Sequence, residues 1–219
     1  MYFSNKNNFF HGIMFHHFHD EKLHKKGQGS INQDDLYKLI KFIGRKNILD
    51  ANEFFIKCKE NKLTEKNLCF TFDDGNRSQY DVALPILEDF KIKSFFFVYS
   101  SLFGEKPDLL EIYRYFRINY FSNVDEFYDL FFKESNKNLL KFFEDNEKTI
   151  RNIKLKYPFY SINDVKFRLV RNVLLSRKNY QEIMLKMFKE KNFEPKDYYE
   201  ILFMNNKHLV RMRKLGHLI

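Results

Sequence analysis

Leu68–Tyr99 reads LCFTFDDGNRSQYDVALPILEDFKIKSFFFVY, and the order of its parts decides the fold. Asn67–Phe72 (NLCFTF) is a short apolar run of strand character that passes straight into Asp73-Asp74-Gly75. Ser78–Phe90 is amphipathic, with Val82, Leu84, Ile86 and Leu87 as its apolar positions. Pro85 lacks an N–H, so the first turns of that helix are expected to be irregular or kinked. Ser94–Tyr99 (SFFFVY) reads as a further strand, and its unbroken apolar character predicts burial on both faces. Strand, acidic turn, helix and strand make a βαβ unit, which implies a parallel sheet or barrel.

Upstream, Gly12–Phe18 (GIMFHHF) is another apolar and aromatic strand, followed by a turn-rich stretch at Lys25–Gly29. Ser30–Ile43 has helical spacing through Leu36, Leu39, Ile40 and Ile43, with Asn32 as N-cap and Gly44 as stop. Ile48–Leu49 reads as a short strand and Ala51–Lys59 as a helix. Downstream, about Gly104–Lys207 changes character. Ser122–Asp125, Ser161–Asp164 and Asn179–Glu182 resemble capping boxes, and aromatic residues recur at helical spacing, which reads as ordinary core packing. Asn206–Leu215 reads as a helix closed by Gly216, and His217-Leu218-Ile219 as the start of a strand. The expected division is therefore 1–103 as the first part of an α/β unit, 104–207 as a helical insertion and 208–219 as the beginning of the next strand.

The 219 residues are 44% hydrophobic, 18% aromatic and 31% charged, enough for one sizeable core or two small ones. The net charge of +9 would suit an anionic partner, but Lys and Arg are spread along the chain as on a solvated surface. No compact basic block interleaves with aromatics, so no nucleic-acid partner is expected. Cys58 and Cys69 make neither a disulfide framework nor a zinc pattern and fit a reducing compartment. Met1–Phe10 has no apolar signal region and no apolar run approaches bilayer-spanning length, so the expectation is a cytoplasmic protein without a membrane span.

Asp73 and Asp74 carry the chemistry. Adjacent carboxylates at the end of an apolar strand repel and are partly desolvated, so they are costly to place. Such pairs divide work: one binds a metal ion, and its neighbour acts as base on a bound water. The structural alternative is an acidic turn in which Gly75 lets the backbone swing away.

In this context the segment resembles the first motif region of the polysaccharide deacetylases, the group that includes the chitooligosaccharide deacetylase NodB. A strand ending T-F-D-D-G, a helix with A-x-P-x-L and a following G-I-K-A-T-F-F-V characterise that family. Thr71–Gly75, Ala83–Leu87 and Ile92–Val98 match them. Ile13–His16 resembles its L-M-Y-H strand, and Leu215–Ile219 the A-G-H-E-I-G that leads to its second motif. The resemblance covers roughly residues 12–102 and 204–219, the N-terminal portion of such an enzyme.

It implies a distorted parallel (β/α) barrel, incomplete at the C-terminus, that hydrolyses N-acetyl or O-acetyl groups on a sugar or polysaccharide precursor. Asp73 would be the catalytic base and Asp74 the carboxylate ligand of a divalent metal, with zinc expected. Two further ligands come from an H-[S/T]-x-x-H motif that belongs beyond Ile219, so the chain is expected to be truncated and inactive alone. His16 aligns with a strand-end histidine near the barrel mouth and is a substrate-binding candidate. Arg77, just after the turn, is another for an anionic group. Strand alternation sends His16 and His17 to opposite faces, whereas His17 and His19 could share one. His217 reads as structural. A phosphoryl-transfer enzyme of the haloacid dehalogenase type would need Asp-x-Asp, and position 75 is Gly. The remaining alternative is a non-catalytic, decayed deacetylase-like binding module.

Overall fold

The computed structural model describes residues 11–104, 109–135 and 138–219. Met1–Phe10, read above as lacking a secretion signal, lies outside the described residues. The chain divides into two compact units, Met1–Leu109 with Lys196–Ile219, and Leu110–Pro195. The sequence reading drew its boundaries at 103 and 207; here residues 196–207 sit with the first unit.

The first unit runs β1 (His11–Phe15), α1 (Gln33–Ile43), α2 (Ala51–Lys59), β2 (Leu68–Phe72), α3 (Leu84–Asp89) and β3 (Phe95–Phe96). The three strands form a parallel sheet in the order β1-β2-β3, so β2 is central. Parallel neighbours need crossovers, and the helices between them supply these. Register places Phe15 opposite Phe72 and Phe72 opposite Phe96. The rings stack across the sheet, with centroids 5.1 Å apart for Phe15–Phe72 and 4.6 Å for Phe72–Phe96. They pack with Leu36 and Ile40 of α1 and Leu84 and Leu87 of α3 in one core. Each buried phenyl ring contributes roughly 1.5–3 kcal/mol, and favourable ring pairs add about 0.5–1.5.

Local signals explain most element ends. Asn32 caps α1 and forms a full capping box with Asp35, and the Gly44 N–H closes the helix on the Ile40 carbonyl. Before α3, Gln79–Ala83 forms one wide π-type turn, in which the Leu84 N–H donates to the Gln79 carbonyl. Pro85 explains it, because a proline in the first turn of α3 cannot bond back to Asp81. Ser94–Tyr99 departs from expectation. Only Phe95–Phe96 is strand, Phe96 is buried, and Phe97 is 56% exposed, so one face is packed rather than both. The unbroken apolar run hid the two-residue alternation. Ile48 makes a parallel bridge to Leu68 in place of the short strand expected there.

Residues 196–219 return to this unit through α10 (Tyr199–Leu202) and α11 (Asn206–Lys214). Gly216 comes next, with φ +92°. Leu218 then bridges Phe95 in parallel, and its carbonyl accepts the Phe96 N–H at 2.7 Å. His217–Ile219 thus continues the sheet beyond β3, as its apolar character implied.

The second unit is helical among its described residues: α4 (Leu110–Asn119), α5 (Val124–Glu134), α6 (Leu139–Asp145), α7 (Glu147–Lys156), α8 (Ile162–Leu169) and α9 (Arg177–Glu190). Its aromatic stripes are core, with Phe116, Phe127, Phe131, Phe167 and Phe188 buried. Ser161 caps α8 as expected, but Asn123 rather than Ser122 caps α5, and Ser176 rather than Asn179 caps α9. In both corrections a residue of equal capping power lay within three positions, and spacing alone did not rank them. Buried Asp164 accepts from Tyr128 Oη at 3.0 Å and Arg168 Nε at 3.2 Å. No helix among the described residues is long and apolar enough to cross a membrane.

His217 gives a pH test of the sheet edge. Its ring is 3% exposed, and Nδ1 accepts the Ser94 N–H at 3.0 Å. Burial, aided by the Lys93 charge, pushes it down to about 4 from its ordinary 6.5. The unfolded chain therefore binds the extra proton first, and stability falls as pH drops from 6.5 towards 4, by up to roughly 3 kcal/mol. His217→Asn keeps an acceptor for Ser94 without titrating, so urea midpoints measured across that window should flatten in the variant.

Candidate active site

The site grows from the end of the sheet. Phe72 is the last residue of β2, its ring turned into the core, so by the two-residue period Asp73 turns to the opposite face. The ladder runs out at this level: the Asp73 N–H donates to the Phe15 carbonyl at 3.0 Å, and the Phe97 N–H to the Phe72 carbonyl at 2.7 Å. Asp73 and Asp74 therefore stand at the C-terminal end of the central parallel strand, the position where barrel enzymes assemble their sites.

The chain then turns away through two left-handed residues, Asp74 (φ +76°) and Gly75 (φ +64°). Aspartate is among the few side chains that visit this region readily. Gly75 has a second constraint, because a Cβ there would lie 2.8 Å from Leu102 Cδ1 and 2.9 Å from Val98 Cγ1. The acidic turn is thus pressed against the segment after β3.

His16 completes the cluster from the end of β1. Its Nε2 lies 3.9 Å from Asp73 Oδ2 and 3.8 Å from Asp74 Oδ2, within ion-pair range but beyond a direct hydrogen bond. The three side chains are half-buried, at 36%, 26% and 16% exposure for His16, Asp73 and Asp74. Asp73 Oδ1 is buried without a hydrogen-bond partner among the described residues. Desolvation by burial raises the Asp73 pKa above its ordinary 3.8; the neighbouring His16 opposes this and the Asp74 charge reinforces it. A carboxylate held more basic than usual beside a second carboxylate and an imidazole can accept a proton from a bound water.

The other sequence candidates fall into two groups. His17 joins His16: β1 ends at Phe15, so strand alternation no longer separates them, and their rings stack 5.9 Å apart at 27°. The expected opposition of His16 and His17 is therefore corrected. His19 is buried, and its Nδ1 meets Ser30 Oγ at 3.0 Å. Arg77 is turned to neighbours within its own unit, with Nε donating to Asp81 and Nη1 to the Glu200 carbonyl at 3.0 Å. His24 Nε2 meets Asp81 from the other side at 2.9 Å. Burial would raise the Asp81 pKa, but these hydrogen bonds from His24 and Arg77 outweigh it and hold the carboxyl below its usual range.

Sequence reasoning missed Asn76, Ser78 and Gln79. All three are buried polar residues directly after the acidic turn, and each bonds the backbone of the His16–Phe18 segment. Their signal was present, in that a helix start rich in amide side chains sits where an apolar face should begin. Nothing in the sequence named their acceptors.

The donor set bears on a metal. Asp74, Asp73 and His16 are oxygen and nitrogen donors suited to zinc, and the buried, unpartnered Asp73 Oδ1 is the kind of atom an ion or water satisfies. A catalytic zinc takes three protein ligands, however. Among the described residues no group of three or more His, Cys, Asp or Glu is placed to hold a metal ion. The described residues alone therefore do not complete such a site.

The model of the polysaccharide deacetylase family matches residues 60–161, a stretch that contains the acidic turn. No curated protein sequence matches the chain. Among solved structures, it is similar to a de-N-acetylase from Aggregatibacter actinomycetemcomitans, with 23% identity over 44% of this chain and 40% of that one, at a TM-score of 0.36. It is also similar to the Streptococcus pyogenes deacetylase PplD, solved in complex with acetate, with 15% identity over 81% of this chain and 80% of that one, at a TM-score of 0.36. The first match spans less than half of that de-N-acetylase.

Gly75→Ala tests the geometry of the turn. The left-handed backbone and the close approach of Leu102 and Val98 should together cost roughly 2–4 kcal/mol. A urea titration that leaves the variant within about 0.5 kcal/mol of the parent would show that the turn tolerates a Cβ and that this packing is misread.

Proposed function

We propose, with membership of the polysaccharide deacetylase family as the premise, that this chain carries the proton-accepting half of a site that removes acetyl groups from an acetylated sugar or sugar-polymer precursor. The observation that carries the reading is the His16–Asp73–Asp74 cluster at the end of the central strand. Its three-strand sheet is read as part of the family's distorted (β/α) barrel.

In the proposed reaction, water adds to the acetamide carbonyl while its proton passes to Asp73. The tetrahedral adduct then collapses: the carbon–nitrogen bond breaks, the proton held by Asp73 passes to the leaving sugar nitrogen, and the acetic acid released ionises to acetate. Raising the Asp73 pKa by burial makes it a better base and sets its cost: the group must be ionised to work, so the rate falls as pH drops through that raised pKa. His16, within 4 Å of both carboxylates, is placed to hold the water or the acetyl oxygen.

Asp74 is proposed as this chain's ligand to a divalent metal, zinc by analogy with the family. When bound, the ion would supply Lewis acidity to the carbonyl and lower the pKa of water. The family draws its histidine ligands from an H-[S/T]-x-x-H motif, which by the resemblance belongs beyond Ile219. The alternative reading is a deacetylase-like module that binds acetylated sugar without turning it over.

Acetate release from N-acetylglucosamine oligomers, with and without added zinc, separates the two when measured on a version extended through the family's H-[S/T]-x-x-H motif. For a catalytic site, Asp73→Asn should lower kcat by roughly 10²–10⁴-fold with substrate binding retained. Asp74→Asn should weaken zinc binding in calorimetry. Sugar binding with no acetate release under any metal condition would establish the binding module and overturn the catalytic reading.

A further inference from the structure

We infer that Gln79 is a positioning residue that fixes the His16 loop against the Asp73–Asp74 turn through the two main-chain carbonyls left over where the sheet ends. Parallel strands leave the last carbonyls of each strand without a ladder partner. At this sheet end the Phe15 and Phe72 carbonyls are taken by the Asp73 and Phe97 N–H groups. The next two carbonyls, of His16 and Asp73, lie one residue beyond that last rung. The Gln79 side chain reaches both: Nε2 donates to the His16 carbonyl at 2.9 Å and to the Asp73 carbonyl at 2.5 Å. Asn76 Nδ2 adds a second donor to the His16 carbonyl at 3.2 Å.

The energetics argue against a mere filler. Gln79 is fully buried, and its Oε1 has no hydrogen-bond partner among the described residues. An unsatisfied buried acceptor forfeits its hydration without return, a loss that an apolar side chain of the same length would avoid. The amide cannot be reversed to relieve it, because Oε1 would then face two carbonyl oxygens. What the amide provides, and a methionine could not, is a cross-tie between the backbone bearing His16 and the backbone bearing Asp73. These residues belong to different strand ends, and past the last rung, from the Asp73 N–H to the Phe15 carbonyl, Gln79 is the side chain that bonds both backbones at the level where His16 lies 3.8 and 3.9 Å from the two carboxylates. The wide turn at Gln79–Ala83 places the residue here, since Gln79 is its first member and its carbonyl accepts from Leu84.

The test uses the whole chain with Gln79→Met, which preserves length and apolar volume, and Gln79→Glu, which replaces the double donor by an acceptor. Histidine-ring NMR at fixed pH reads the site without requiring activity. His217 lies in the same unit, against Phe96 and Ser94, and serves as the internal control. The expected result is a displaced His16 ring signal in both variants, larger in Gln79→Glu, with the His217 signal unchanged. Where acetate release is measurable, the kinetic arm rests on the deacetylase reading. There kcat should fall by up to about 100-fold with KM within roughly twofold, the signature of a misplaced group rather than a lost contact. A His16 signal identical to the parent in both variants would overturn the inference whatever the activity. So would equal disturbance of His16 and His217, which marks a purely structural role. Absence of acetate release by the chain extended through the H-[S/T]-x-x-H motif would count against the proposed function and leave the His16 signal to decide this one.

Discussion

The rank of Phe15, Phe72 and Phe96 is the constraint on which the site depends. Three rings at one level of a parallel sheet, stacked side by side and pressed on α1 and α3, fix both register and facing. A slip of one residue would turn every ring to the other face, a penalty of several kcal/mol that holds the pairing. Each ring therefore sets the position of its C-terminal neighbour. The residue after Phe72 must face away from the core, and it is Asp73. The residue after Phe15 is His16, and that after Phe96 is the exposed Phe97. The chemistry of the cluster is thus the continuation of a packing decision made one residue earlier.

Beyond that level the backbone no longer has a ladder, and side chains take over its work. The left-handed pair Asp74 and Gly75 reverses the chain, Val98 and Leu102 close on it, and the amides of Asn76 and Gln79 hold the carbonyls that no strand reaches. His24, Asp81 and Arg77 form a further tie from the 20–24 loop to the helix start and on to the Glu200 carbonyl. Arg77 therefore takes part in holding the loop in place, with both guanidinium bonds directed at protein groups.

The sequence made much of this legible, and where it did not the reason is physical. The strand–acidic turn–helix–strand order, the Asn32 cap and the irregular start before Pro85 each depend on a local rule, and each is present. The facing of Phe97 was not legible, because a run of three phenylalanines has no visible period. The stacking of His16 on His17 was missed because alternation was applied one residue past the true end of β1. The caps at Asn123 and Ser176 were missed by one and three residues among equivalent side chains. The role of Gln79 needed the tertiary fold, since its acceptors lie 63 and 6 residues away along the chain. The family resemblance reached Asp73 and Asp74 directly, because their motif is contiguous.

The central claim is that the sheet end holds Asp73 as an unusually basic carboxylate, desolvated by its burial and flanked by Asp74. Carbon-13 NMR titration of the Asp73 side-chain carboxyl in the metal-free chain measures this directly. The account predicts a midpoint above the ordinary 3.8, with Asp74→Asn lowering it by removing the neighbouring charge. A midpoint at or below 3.8 would contradict it, because the carboxyl would then be solvated or tightly paired and poorly suited to take a proton from water.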